Sequence, residues 1–125
     1  MDIRQLNRQG AIEIMPIGKL DIDKAEAFEN AFNDGALASE HKAIGVNLSK
    51  VDYIDSSGLG VLIKVLNSAK NEGKSMLLFG ATPKIQNIFQ LARLEKFFTF
   101  TTAAEFSAKY PSEGDEEMNS FIENL

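Results

Sequence analysis

Apolar positions along this chain repeat in two rhythms. Near the N-terminus the period is two. Ile3 to Leu6 and Ala11 to Ile17 read as strands joined by a turn at Asn7 to Gly10, with Ile12, Ile14 and Pro16 alternating with Glu13, Met15 and Ile17. Pro16 predicts a strand end or a sheet edge, because proline donates nothing to a ladder. From Leu20 the period lengthens to that of a helix. Ala25, Phe28, Phe32 and Gly35 or Ala36 make one apolar face, with Asp21 and Asp23 both suited to cap it and Asp23 and Glu26 at capping-box spacing. Ala43 to Leu48 is almost continuously apolar, as a strand covered on both faces is. A polar turn follows. A second helix is expected from about Ser57 to Glu72, closed by Gly73. Ser75 to Phe79 reads as a strand, and Thr82-Pro83 opens a third helix with the stripe Ile85, Ile88, Phe89 and Ala92. Phe97 to Thr101 is a last strand, and Thr102 to Tyr110 a short helix with Ala103, Phe106 and Tyr110 on one side.

The order β-β-α-β-α-β-α-β-α predicts a single α/β domain with a mixed sheet and about four helices, since helical crossovers join parallel strands. The domain is expected over residues 1–110. Residues 111–125 read as an acidic C-terminal tail, although Met118, Phe121, Ile122 and Leu125 have helical spacing; a frayed terminus is the expectation there.

Charge sharpens that division. All 13 Lys/Arg and 13 of the 18 Asp/Glu lie in residues 1–110, so the body is neutral and the tail carries the whole net charge of −5. A neutral body offers no basic field for nucleic acid. The 125 residues contain no run near the length of a membrane span, no signal-peptide pattern at Met1-Asp2-Ile3-Arg4 and no cysteine, which predicts a cytoplasmic protein without disulfides or thiolate metal sites.

Candidate chemistry is sparse. The only histidine, His41, follows Ser39-Glu40 in a polar loop and reads as a surface residue, so no serine has an evident base. The elbow Gly-x-Ser-x-Gly is absent, because Ile54 stands two places before Ser56. Gly58-Leu59-Gly60 lacks the third glycine of a dinucleotide loop, where Ile63 stands, and no Gly-x-x-x-x-Gly-Lys-Ser/Thr occurs. Asp52 and Asp55 alone make a poor cage for a hard cation. These absences predict a non-enzyme with no cofactor and no metal. What remains is Asp55-Ser56-Ser57-Gly58, an acid, two hydroxyls and a glycine at a helix start. Unpaired N–H groups and the helix dipole favour a phosphate there. By itself the block is an ordinary helix start, since Asp and Ser are common caps.

In context the block resembles a family. Gly18-Lys19-Leu20-Asp21, then Val46-Asn47-Leu48 through Asp55-Ser56-Ser57-Gly58-Leu59-Gly60-Val61-Leu62, then Pro83-Lys84-Ile85 to Phe89 and Leu94 together resemble a STAS domain of the bacterial anti-sigma-factor antagonist type, over about residues 3–108. The resemblance implies partner switching. The unphosphorylated antagonist binds an anti-sigma factor that is also a serine kinase, the kinase uses ATP to phosphorylate the serine after the aspartate, here Ser56, and a serine phosphatase restores binding. The alternative is a STAS scaffold subunit of a larger sensory or transport assembly. The partner-binding residues expected around Ser56 are Asp21, Asp55, Ser57, Gly58, Gly60, Val61 and Lys64. On a helical wheel Leu59, Leu62, Ile63, Leu66 and Ala69 cluster on one side, and Gly60, Lys64, Asn67, Ser68 and Asn71 on the other. Val61 falls on the edge of the polar arc, where an exposed valine is expected to serve docking.

Overall fold

In the computed structural model, which describes residues 2–113, the chain opens as an antiparallel hairpin. Strands β1 (Asp2–Arg8) and β2 (Ala11–Leu20) pair from Arg8↔Ala11 to Asp2↔Ile17, and Gly10 turns between them at φ +88°. Helix α1 (Ala25–Ala31) continues as a π-helical segment, Phe32–Leu37, and strands β3 (Ala43–Asn47) and β4 (Val51–Ile54) follow. The remainder is α2 (Ser56–Asn71), β5 (Ser75–Phe79), α3 (Pro83–Leu91), β6 (Thr99–Phe100) and α4 (Ala103–Lys109). The sheet order is β1-β2-β3-β5-β6, with β4 also on β2, and every pairing except β1–β2 is parallel. Among the described residues the domain is α/β with a mixed sheet and four α-helices, as the periodicity predicts.

Several features differ from expectation. The stretch read as a polar turn before Asp55 contains β4, with Asp52 and Tyr53 exposed and Val51 and Ile54 buried. Strands β3 and β4 lie end to end along β2, pairing with residues 11–14 and 18–20 respectively, so no crossover helix is needed between them. Pro16 is neither a strand end nor an edge residue. Its nitrogen faces the same side as Gly18, whose N–H donates to the Lys50 carbonyl at 2.9 Å, and it occupies the gap where β2 changes partner. The last strand is only two residues, not five.

Helix α1 starts later than its acidic residues suggest. The Asp21 carbonyl accepts the N–H groups of Lys24 and Ala25 at 3.0 and 2.9 Å, and its carboxylate accepts that of Asp23 at 3.1 Å. Asp21 therefore builds the turn ahead of the helix, and the cap position, Lys24, has no side-chain cap bond. Phe28, Phe32 and Ala36 point inward as expected.

The main core lies between one sheet face (Ile12, Ile14, Ile44, Val46, Leu78) and helices α1 to α3 (Phe28, Leu62, Val65, Leu66, Ile85, Phe89). A smaller cluster on the opposite face packs Ala11, Ala43 and Phe79 under Phe106 of α4. Beside it the buried Glu13 carboxylate is matched by the Arg8 guanidinium at 2.7 Å and the Asn47 amide at 3.0 Å, and Arg8 also donates to the Tyr110 carbonyl at 2.9 Å. After α4 the chain returns to the hairpin, where the Gln9 N–H donates to the Pro111 carbonyl at 2.9 Å. Met118, Phe121, Ile122 and Leu125 lie outside the described residues.

Candidate functional site

Ser56 is presented by the junction of β4 and α2. Backbone pairing of Lys19 with Tyr53 and of Leu20 with Ile54 sets the height at which β4 ends. Asp55 then turns the chain in an extended conformation (φ −100°, ψ −174°) and caps α2, its Oδ1 accepting the Gly58 N–H at 2.9 Å. Its Oδ2 accepts the Ile22 N–H at 3.1 Å, and its own N–H donates to the Leu20 carbonyl at 3.3 Å. One carboxylate thus holds the turn after β2 against the head of α2. Ser56 follows as the first residue of the helix, exposed to solvent, and Ser57 is half-buried behind it.

Of the residues the sequence places around Ser56, the structure brings Asp21, Asp55, Ser57, Gly58 and Gly60 to this junction, in different environments. Gly58 is buried because α2 starts directly against β2: a Cβ there would overlap the Leu20 carbonyl oxygen and come within 2.9 Å of Ile54 Cγ2. Gly60 is exposed, with nothing within 4 Å of where its Cβ would be. Lys64 is exposed and pairs with Glu29 of α1 at 2.9 Å. Ser56, Gly60 and Lys64, spaced four apart, form one exposed line along α2.

The expectation for Val61 is overturned. It is 6% exposed and belongs to the core. The buried stripe of α2 is Gly58, Val61, Leu62, Val65, Leu66 and Ala69, while Leu59 and Ile63 pack only partly against it. The paired apolar positions Val61-Leu62 and Val65-Leu66, four apart, carry that signal in the sequence. Two features of the site were not anticipated. Ile22 is 72% exposed in the turn fastened by Asp55. Tyr53, 41% exposed, shares with Lys19, Asp52 and Lys84 a shallow hollow of about 320 Å³. An isoleucine between two aspartates, in a segment that otherwise reads as turn, is the only sequence trace of the first. His41 is half-buried in the loop before β3, and among the described residues no group of three or more His, Cys, Asp or Glu side chains is placed to hold a metal ion.

The STAS domain family model matches residues 3–106. This chain belongs to the STAS domain family. A Thermotoga maritima protein provisionally named an anti-sigma factor antagonist is 30% identical to this STAS domain over 83 residues, 66% of this chain and 74% of that one. The anti-sigma-B factor antagonist of Staphylococcus epidermidis is 24% identical over 95 residues, 76% of this chain and 87% of that one. The crystal structure of TM1081, a T. maritima protein that bears the same provisional name, superposes with a TM-score of 0.76 at 25% identity, covering 86% of this chain and 92% of that one. The fold is also that of the Bacillus antagonist SpoIIAA in its phosphorylated form, with a TM-score of 0.60 at 19% identity over 86% of this chain and 98% of that one. The relatives are anti-sigma factor antagonists, a group of non-enzymatic regulators. No helix among the described residues is long and apolar enough to cross a membrane.

Proposed function

We propose that this STAS domain is a cytoplasmic anti-sigma factor antagonist that regulates transcription by partner switching, with Ser56 as the switch. Its unmodified form binds an anti-sigma factor that is also a serine kinase. Phosphorylation of Ser56 ends binding, and a serine phosphatase restores it. The observation that supports this reading most is the exposed Ser56 hydroxyl at the first position of α2, on a junction fixed by Asp55.

The physics fits a switch that acts at the surface. Phosphate brings about −1.5 to −2 charges at neutral pH. At a helix N-terminus the dipole and unpaired N–H groups tolerate that charge, so the free domain keeps its fold. Against a partner that fits a neutral hydroxyl, the same charge is buried without a match. A cost of ~4 kcal/mol corresponds to about a thousandfold loss of affinity. Ser57, half-buried in the first turn, is the less accessible of the two hydroxyls. The partner-facing residues in this reading are Asp21, Ser57, Gly60 and Lys64 around Ser56. Asp55 and Gly58 shape the junction.

The test pairs phosphosite mapping by mass spectrometry, after incubation with an anti-sigma factor kinase and ATP, with affinities of the modified and unmodified chains. Phosphate on Ser56 and a large loss of affinity are expected. Phosphate on Ser57 alone, or equal affinities, would overturn the switch. A STAS scaffold subunit, the alternative, would bind its partners equally well in both forms.

A further inference from the structure

Away from Ser56, a cleft of about 440 Å³ opens beyond the carboxyl ends of β5 and β6, between α3 and the start of α4. Its volume is in the range of small-molecule sites, and its place is where parallel sheets commonly receive ligands. The aromatic wall is Phe79, Phe89 and Phe100. Phe79 is backed by Phe106, with ring centroids 4.6 Å apart, and Phe89 meets Phe100 edge-on at 5.4 Å. Phe100 is 38% exposed on a two-residue strand, although an aromatic of that size normally buries its area. The rim is polar, and among the described residues the Glu95 carboxylate is the one charged side chain on it. The Gln86 amide N–H donates to the Ala81 carbonyl at 2.9 Å, which leaves its oxygen free to accept. Among the described residues, the Glu95 carboxylate takes part in no ion pair or hydrogen bond, and no Lys or Arg lines the cleft.

From this combination we infer that the cleft is a binding site for a small planar aromatic cation, an amine or amidine on a flat ring. The ring packs against Phe100, which is exposed where Phe79 and Phe89 are buried, and the cation faces Glu95 and the Gln86 carbonyl. Aromatic walls attract cations as well as apolar surface. Phosphate- or carboxylate-bearing ligands are disfavoured, because among the described residues the one charged side chain lining the cleft is the Glu95 carboxylate and no Lys or Arg offsets it. The site is independent of the Ser56 reading.

The probes are benzamidine (planar cation), indole (planar and neutral) and benzoate (planar anion), titrated into the ¹⁵N-labelled chain and followed by amide shifts. Benzamidine is expected to give saturable shifts confined to residues around Gly80, Gln90 and Thr102, with indole weaker at the same amides and benzoate without effect. Glu95→Gln should weaken benzamidine about tenfold and leave indole unchanged, as loss of one charge-assisted contact predicts. Phe100→Ala should weaken both. Binding of benzoate comparable to benzamidine, shifts scattered over the surface, or a Glu95→Gln variant that binds benzamidine normally would overturn the assignment.

Discussion

Gly58 lies so close to Leu20 that a methyl group on its Cα would occupy the position of the Leu20 carbonyl oxygen. The head of α2 rests directly on the end of β2, and the glycine after the two serines is required by the chain's own packing. Gly60, two residues on, faces open space.

The two glycines should therefore respond in opposite ways to alanine. Gly58→Ala is expected to destabilise the domain by about 1–3 kcal/mol or more, because backbone rather than a movable side chain is in the way. Gly60→Ala should stabilise it by about 0.5–1 kcal/mol, the helix-interior difference between the residues. Urea melts of both variants check the signs. If Gly60→Ala also binds the anti-sigma factor more weakly, its bare backbone is contact surface.

Asp55→Ala removes a helix cap and the tie to the turn after β2 together. A loss of about 1–2 kcal/mol is expected for the cap. Hydrogen exchange should accelerate at the amides of both Gly58 and Ile22, residues far apart in sequence. Acceleration at Gly58 alone would mean that the turn is held by other means.

Val61 and Lys64 are adjacent turns of one helix with opposite expected outcomes. Val61→Glu places a carboxylate in the core and should unfold the domain or cost several kcal/mol. Lys64→Glu meets Glu29 at the surface and should cost less than about 1 kcal/mol. Circular dichroism and thermal melts separate the two, and Lys64→Glu is then the variant suited to partner-binding measurements.

Ser56→Ala should keep the affinity of the unmodified chain for the anti-sigma factor and resist the kinase. Ser56→Asp should weaken binding, though less than phosphate does, since it carries one charge on a shorter arm. Both variants should melt within about 0.5 kcal/mol of the parent, as expected for an exposed first-turn position.

Much of this was legible in the order of the residues, and the exceptions share a cause. Strands β2, β3 and β5 show as short apolar-rich runs and helices α2 and α3 as helical stripes, and the pattern finds them. It does not find strand β4. Its buried residues, Val51 and Ile54, are three apart, a spacing that contradicts a strand until the irregularity opposite Gly18 and Lys19 is known. The bulge takes up one residue and lets both side chains face the core. Val61 lies in the core because α2 is covered on more than one side, by α1, β4 and β5. Burial of that kind widens the apolar stripe beyond what a single face predicts. The D-S-S-G block marked the position of Ser56. That Asp55 faces the Ile22 amide is a contact across 33 residues, and nothing local encodes it.

Pro16 acts at a distance on where the serine emerges. Pairing of β3 with β2 stops after Ile14↔Val46, while on its other side the ladder to β5 runs on, the Leu48 N–H donating to the Phe79 carbonyl at 2.8 Å. Pairing resumes at Gly18↔Val51. With no N–H to offer, Pro16 works as a ruler mark: it ends one strand, obliges the next to begin at a set height, and so sets the level at which residue 56 surfaces.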